Sequence, residues 1–219
     1  MKRPAEAAHR VLWTAVFAAA FGFVEAAVVV YLRALYYPEG FQFPLRLMAP
    51  GMIPVELTRE LATLIMLASV GILAGRSRWD RFGAFMVAFG VWDIAFYLWL
   101  RFLVAWPATI VDWDILFLLP LPWIGPVLAP VLIALVMTVG GAWMMTVSGR
   151  GERFHITPQP VALALAGTAI LLYSFMHDTG ATLHGAMPAP YSYPLLGIGL
   201  ACYVASFVFL KRLPPPQNT

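Results

Sequence analysis

The chain has 219 residues, of which 61% are hydrophobic and 11% charged, with a mean hydropathy of +0.79. Soluble domains run about 45–50% apolar and about 25% charged, so a soluble globule, a disordered chain and a nucleic-acid binder are excluded. The single Cys202 excludes a disulfide-stapled scaffold, and a net charge of +3 bears on loop orientation in a bilayer rather than on an acidic partner.

Crossing about 30 Å of hydrocarbon takes roughly 20 helical residues, and the apolar stretches predict six spans, near 11–37, 58–75, 82–106, 124–148, 159–177 and 194–210. The expectation is an all-α integral membrane protein, a six-helix bundle forming a single polytopic domain over 1–219. In the first span the apolar run continues past the small residues Ala26 and Ala27 through Val28-Val29-Val30-Tyr31-Leu32. It therefore reads as an anchor rather than a cleaved signal peptide. The second span starts as early as Pro54, since proline is accepted in a first helical turn.

Between the third and fourth spans, Trp106 to Pro120 is apolar but too short to cross. It predicts a short interfacial or re-entrant helix near 112–119, capped by Asp112 and ended by Pro120. The outer connections 38–57, 107–123 and 178–193 are rich in proline and aromatic residues, as a functional lid or an interfacial aromatic belt would be. Cys202, the pair Met144 and Met145, and the small residues Gly71, Gly75, Gly197, Ala201 and Ala205 read as packing.

Ten of the 14 basic residues fall in the segments 1–10, 75–81, 149–157 and 211–219. These segments alternate with the spans, so the positive-inside rule puts both termini in the cytoplasm of a bacterial-type inner membrane. The remaining charges are Arg33, Arg46, Arg59 and Arg101 against eight acids: Glu25, Glu39, Glu56, Glu60, Asp93, Asp112, Asp114 and Asp178. Ionisable groups within spans face a bundle interior or a wet cavity.

At 1.5 Å per residue, Glu25 lies about 22 Å above Arg10, Glu60 about 24 Å from Arg76 and Asp93 about 18 Å above Arg81, so the three share one level. The spacing Glu56, Arg59, Glu60, Thr63 marks one stripe of the second span; Asp93, Tyr97, Arg101 and Glu25, Val29, Arg33 mark stripes of the third and first. These helices are expected to turn those faces toward one another. Glu25, Glu60, Asp93 and Arg59 are the candidate catalytic residues, with Arg33, Arg101 and Tyr97 for substrate or charge pairing.

The fifth span ends in His177-Asp178, and Gly180 offers a turn that returns His184. Together with Glu56, these residues form a candidate ligand set for a divalent metal, Zn, Fe or Mn. The reading that uses most of these residues is a membrane-embedded enzyme, metal-dependent in one version, acting on a lipid-like or small apolar substrate from the outer side. Two other classes stay open: a proton- or cation-coupled transporter, and a non-catalytic subunit of a membrane complex whose charges are paired one to one. The serines lack a Gly-x-Ser-x-Gly context, and Glu56-Leu-Thr-Arg59-Glu60 has no adjacent glutamates.

Overall fold

The computed structural model describes residues 3–41, 43 and 48–214. Its helices are α1 (Arg3–Tyr36), α2 (Ile53–Ala74), α3 (Arg78–Val104), α4 (Leu128–Gly149), α5 (Pro158–Met176), the short α6 (Thr179–Leu183) and α7 (Tyr193–Val208). Strands β1 (Trp113–Phe117) and β2 (Trp123–Pro126) pair antiparallel, as do β3 (Arg153–His155) and β4 (Lys211–Leu213).

Helices α1 to α5 are long and apolar enough to cross a membrane, and α7 is apolar but shorter. The chain is a multi-pass membrane protein. Side chains such as Leu73 (85% exposed) and Phe102 (81%) stand on the outer surface, where water would make them an aggregation hazard and lipid makes them ordinary. Pro54 lies in the first turn of α2, where its missing N–H has no intrahelical partner to lose.

Helix α3 packs against α1, α2 and α4, and small residues set how near the backbones come. A Cβ on Gly90 would lie 2.3 Å from Thr138 Oγ1 and 2.4 Å from the Ala134 carbonyl oxygen. Gly83 and Gly141 meet similarly across the same seam. In α7 the packing residue is Gly199, against Leu171 of α5, whereas Gly197 has open space around it and Ala201 is exposed. The stripe expected at Gly197 and Ala201 is thus turned away from the neighbouring helix.

The described parts of the four basic segments, 3–10, 75–81, 149–157 and 211–214, share one end of the bundle. Arg10 binds Asp80 at 2.6 Å, Arg76 pairs with Glu6, and Trp79 joins the cluster of Phe154, Ile156 and Leu210. Strand β3 follows α4 and pairs with β4 near the C-terminus, Arg153 opposite Leu213 and His155 opposite Lys211.

At the opposite end the expected short helix over 112–119 is replaced by the β1–β2 hairpin. An eight-residue helix leaves about four N–H and four C=O groups without intrahelical partners. Pairing with residues 123–126 satisfies much of the same backbone instead. The register runs Trp113 to Pro126, Asp114 to Gly125, Ile115 to Ile124 and Phe117 to Trp123, with an irregularity between Ile115 and Phe117. Asp112 caps no helix: its carboxylate accepts the N–H groups of Ala108 and Thr109 and the Thr109 hydroxyl, closing the turn before the hairpin.

Candidate functional site

Three helices and the hairpin converge on a cavity of about 70 Å³ lined by Glu25 and Val29 of α1, Arg59, Glu60 and Thr63 of α2, Trp92, Asp93, Phe96 and Tyr97 of α3, and Ile115 to Phe117 of β1. Glu56, Glu60, Thr63, Leu67 and Gly71 are the buried residues of α2, the 3.6-residue stripe expected of it. Glu25, Glu60 and Asp93 do meet at one level.

The charges are not equivalent. Arg59 is shared: its Nη1 donates to Glu25 and its Nε donates to Glu56 at 2.8 Å. Glu25 accepts a second bond, from the Thr63 hydroxyl at 2.6 Å, so one guanidinium and one hydroxyl hold two buried carboxylates. Glu60 forms no ion pair among the described residues. Both its oxygens accept the Leu118 N–H, at 3.0 and 2.9 Å, a donor that lies just past the end of β1. Asp93 lies in no described ion pair, and its Oδ2 is shut away from solvent without a hydrogen-bond partner. A buried carboxyl without a partner is costly unless a proton, a cation or a ligand donor reaches it.

On the side of the cavity toward the basic end, Phe21, Leu67, Ala88, Trp92 and Phe117 form an apolar cluster with Phe85 and Phe89. Phe21 and Ala88 precede Glu25 and Asp93 by about one turn, and Leu67 follows Thr63 by one turn in the descending α2. The site therefore has an apolar floor.

Its roof is a second charge cluster. Arg33, near the end of α1, donates from Nη2 to Asp114 of β1 at 3.1 Å, while its guanidinium lies 3.7 Å from the centre of the Trp106 ring and 4.1 Å from that of Phe41. The Tyr97 hydroxyl also faces Asp114. Burial pushes the Asp114 carboxyl up to about 6, against the opposing pull of the Arg33 guanidinium. Arg33 thus fastens the hairpin over the cavity.

Arg101 is not part of the site. It is exposed, and its Nη1 donates to the carbonyls of Ala105 at 2.6 Å and Pro107 at 3.2 Å; a basic side chain in a last turn finds unpaired carbonyls close at hand. Arg46 lies outside the described residues.

The metal set is not assembled either: among the described residues no group of three or more His, Cys, Asp or Glu is placed to hold an ion. Glu56 is held by Arg59. His177 is exposed, packs beside the Tyr173 ring and places Nδ1 3.2 Å from the Ser174 carbonyl, and Asp178 accepts the Ala189 N–H. His184, also exposed, bonds the Gly180 carbonyl from Nδ1 at 2.7 Å. Gly180 makes no turn, because α6 runs through it; the positive-φ residue is Gly185, at 68°. His184 is therefore carried along a helical turn rather than folded back to His177.

Two participants were beyond sequence reasoning. Asp114 was visible only as one more outer acid, and the Leu118 N–H carries no side-chain signal at all. The aromatic and proline density of 106–126 was the available hint that this segment covers something. No family model, curated protein or solved structure matches the chain.

Proposed function

We propose that this protein is a membrane-embedded enzyme of a bacterial-type inner membrane, with six spans and both termini in the cytoplasm, whose outer-half cavity acts on a lipid-like or small apolar substrate. The observation that carries the reading is the pair Glu60 and Asp93, two carboxyls lining one small cavity with neither in an ion pair among the described residues. Two such groups can divide the work of acid and base, one giving a proton and the other taking it. Arg59 is fixed through Nη1 and Nε, which leaves its Nη2 to stabilise negative charge developing on a substrate oxygen.

Drug-sized ligand pockets span about 300–1,000 Å³, so a cavity of about 70 Å³ suits a water or the reactive end of a substrate whose remainder lies in lipid. A purely structural lattice would match each acid with its own arginine, and Glu60 and Asp93 depart from that pattern. The apolar floor supports a site entered from one side, in preference to a proton or cation relay running through the bundle.

The test is lipid analysis of membranes from cells expressing the wild type, Asp93→Asn or Glu60→Gln. The expected result is a change in lipid species with the wild type that both variants abolish at equal expression. Indistinguishable extracts would overturn the enzyme reading, and a proteoliposome flux lost in Glu60→Gln would replace it with the transporter.

A further inference from the structure

At the end of the bundle away from the carboxyl cavity, we infer a binding site for an anionic phospholipid, its acyl chain in a groove between α3–α4 and α5–α7 and its phosphate against Arg78 and Arg153. The groove has a volume of about 350 Å³ and a wall of Phe82, Met86, Met137, Leu165 and Phe207 among others. It exists because α4 and α7 meet closely at Gly140 against the Phe207 ring, while α3 and α5 stand apart beside that seam. The hydroxyls along it are already bonded: Thr168 to Tyr203 at 2.9 Å, and Ser206 to the Pro160 carbonyl at 2.8 Å. A surface of this kind holds hydrocarbon and offers nothing to a polar solute.

The basic end of this groove gives the occupant a charge. Trp79 lines both the groove and an adjoining pocket of about 330 Å³ bordered by Ser77, Arg78, Ser148, Glu152 and Arg153. The one acid there, Glu152, sits 3.9 Å from Arg212 of β4, so Arg78 and Arg153 remain for an incoming anion.

An apolar channel continuous with a cationic pocket at one bundle end is complementary to a lipid with a negative headgroup. A second copy of this chain is the poorer fit, since it would bring the same basic end to the same place. The inference is independent of the carboxyl cavity and stands whether or not that cavity is catalytic.

The experiment is native mass spectrometry of the full chain in detergent with added dioleoyl phosphatidylglycerol or dioleoyl phosphatidylcholine. The phosphatidylglycerol adduct should predominate several-fold, and Arg78→Gln with Arg153→Gln should weaken it on the order of tenfold, while the corresponding pair of lysine substitutions retains it. Ala164→Phe, which fills the groove from α5, should lower retention of both lipids and carries the test should the double variant fail to fold. Equal adducts of the two lipids, an undiminished preference in the glutamine pair, or a lipid-free dimer broken by Ala164→Phe would each overturn the site.

Discussion

Arg59 is the residue on which the α1–α2 contact turns, because a single guanidinium holds Glu25 and Glu56, both almost wholly buried. Removing one partner of a buried pair costs about 3–5 kcal/mol, most of it for the charge left behind. Arg59→Met should therefore lower the unfolding temperature in detergent sharply, and adding Glu25→Gln and Glu56→Gln should recover much of the loss. Failure of that recovery would mean the arginine acts through something other than these two acids. Asp114 carries a pH signature. Its folded carboxyl titrates near 6 against an ordinary value of 3.8, so the folded state binds this proton more tightly than the unfolded chain. The stabilising contribution is full below about 4 and is lost as pH rises through about 6. Asp114→Asn should flatten that part of the stability profile between pH 4 and 7, as followed by thermal unfolding; an unchanged slope would assign the titration elsewhere. The facing groups are Arg33, Tyr97 and Asp93.

Element by element, five long apolar helices were legible because their period and length answer to the bilayer, whereas the hairpin was not. Residues 112–119 carry apolar side chains in a run that fits a buried helix or a strand equally, and the partner strand 123–126 overlaps the start of what reads as the fourth span. Pro120, Pro122 and Pro126 remove helical donors on both sides, so pairing across the turn wins. The same hairpin supplies the Leu118 N–H to Glu60. Helix packing offers a sharper contrast. Gly90→Ala would place a methyl 2.3 Å from Thr138 Oγ1 and should destabilise by about 1–3 kcal/mol. In α7, Gly197→Ala meets nothing within 4 Å and should be neutral or stabilising by about 0.5–1 kcal/mol. Thermal unfolding of the two single variants checks the pair; equal losses would contradict the assigned helix faces.

For the molecule as a whole, residues 3–10, 75–81, 149–157 and 211–214 gather at one end, and the proposed topology of six spans with cytoplasmic termini puts that end on the inner face. Single cysteines at Arg153 and Asp112, in a background with Cys202→Ser, give the check. An impermeant thiol reagent applied to intact cells should label the Asp112 position and spare the Arg153 position. Labelling of both or neither, or the reverse pattern, would reject the assigned topology.

Hydrocarbon thickness, the cost of burying charge and the placement of lysine and arginine are each written along the chain. They sufficed to identify a helical membrane protein, to place Glu25, Glu60 and Asp93 at one depth and to pick the inward stripe of α2. Which acids are neutralised depends on distances between helices and on a hairpin whose backbone donors carry no side-chain label. Packing thus assigned Arg59 to Glu25 and Glu56, gave Asp114 to Arg33, turned Arg101 outward and left Glu60 and Asp93 to share a cavity. A linear pattern encodes depth and facing, while partnership requires three-dimensional proximity.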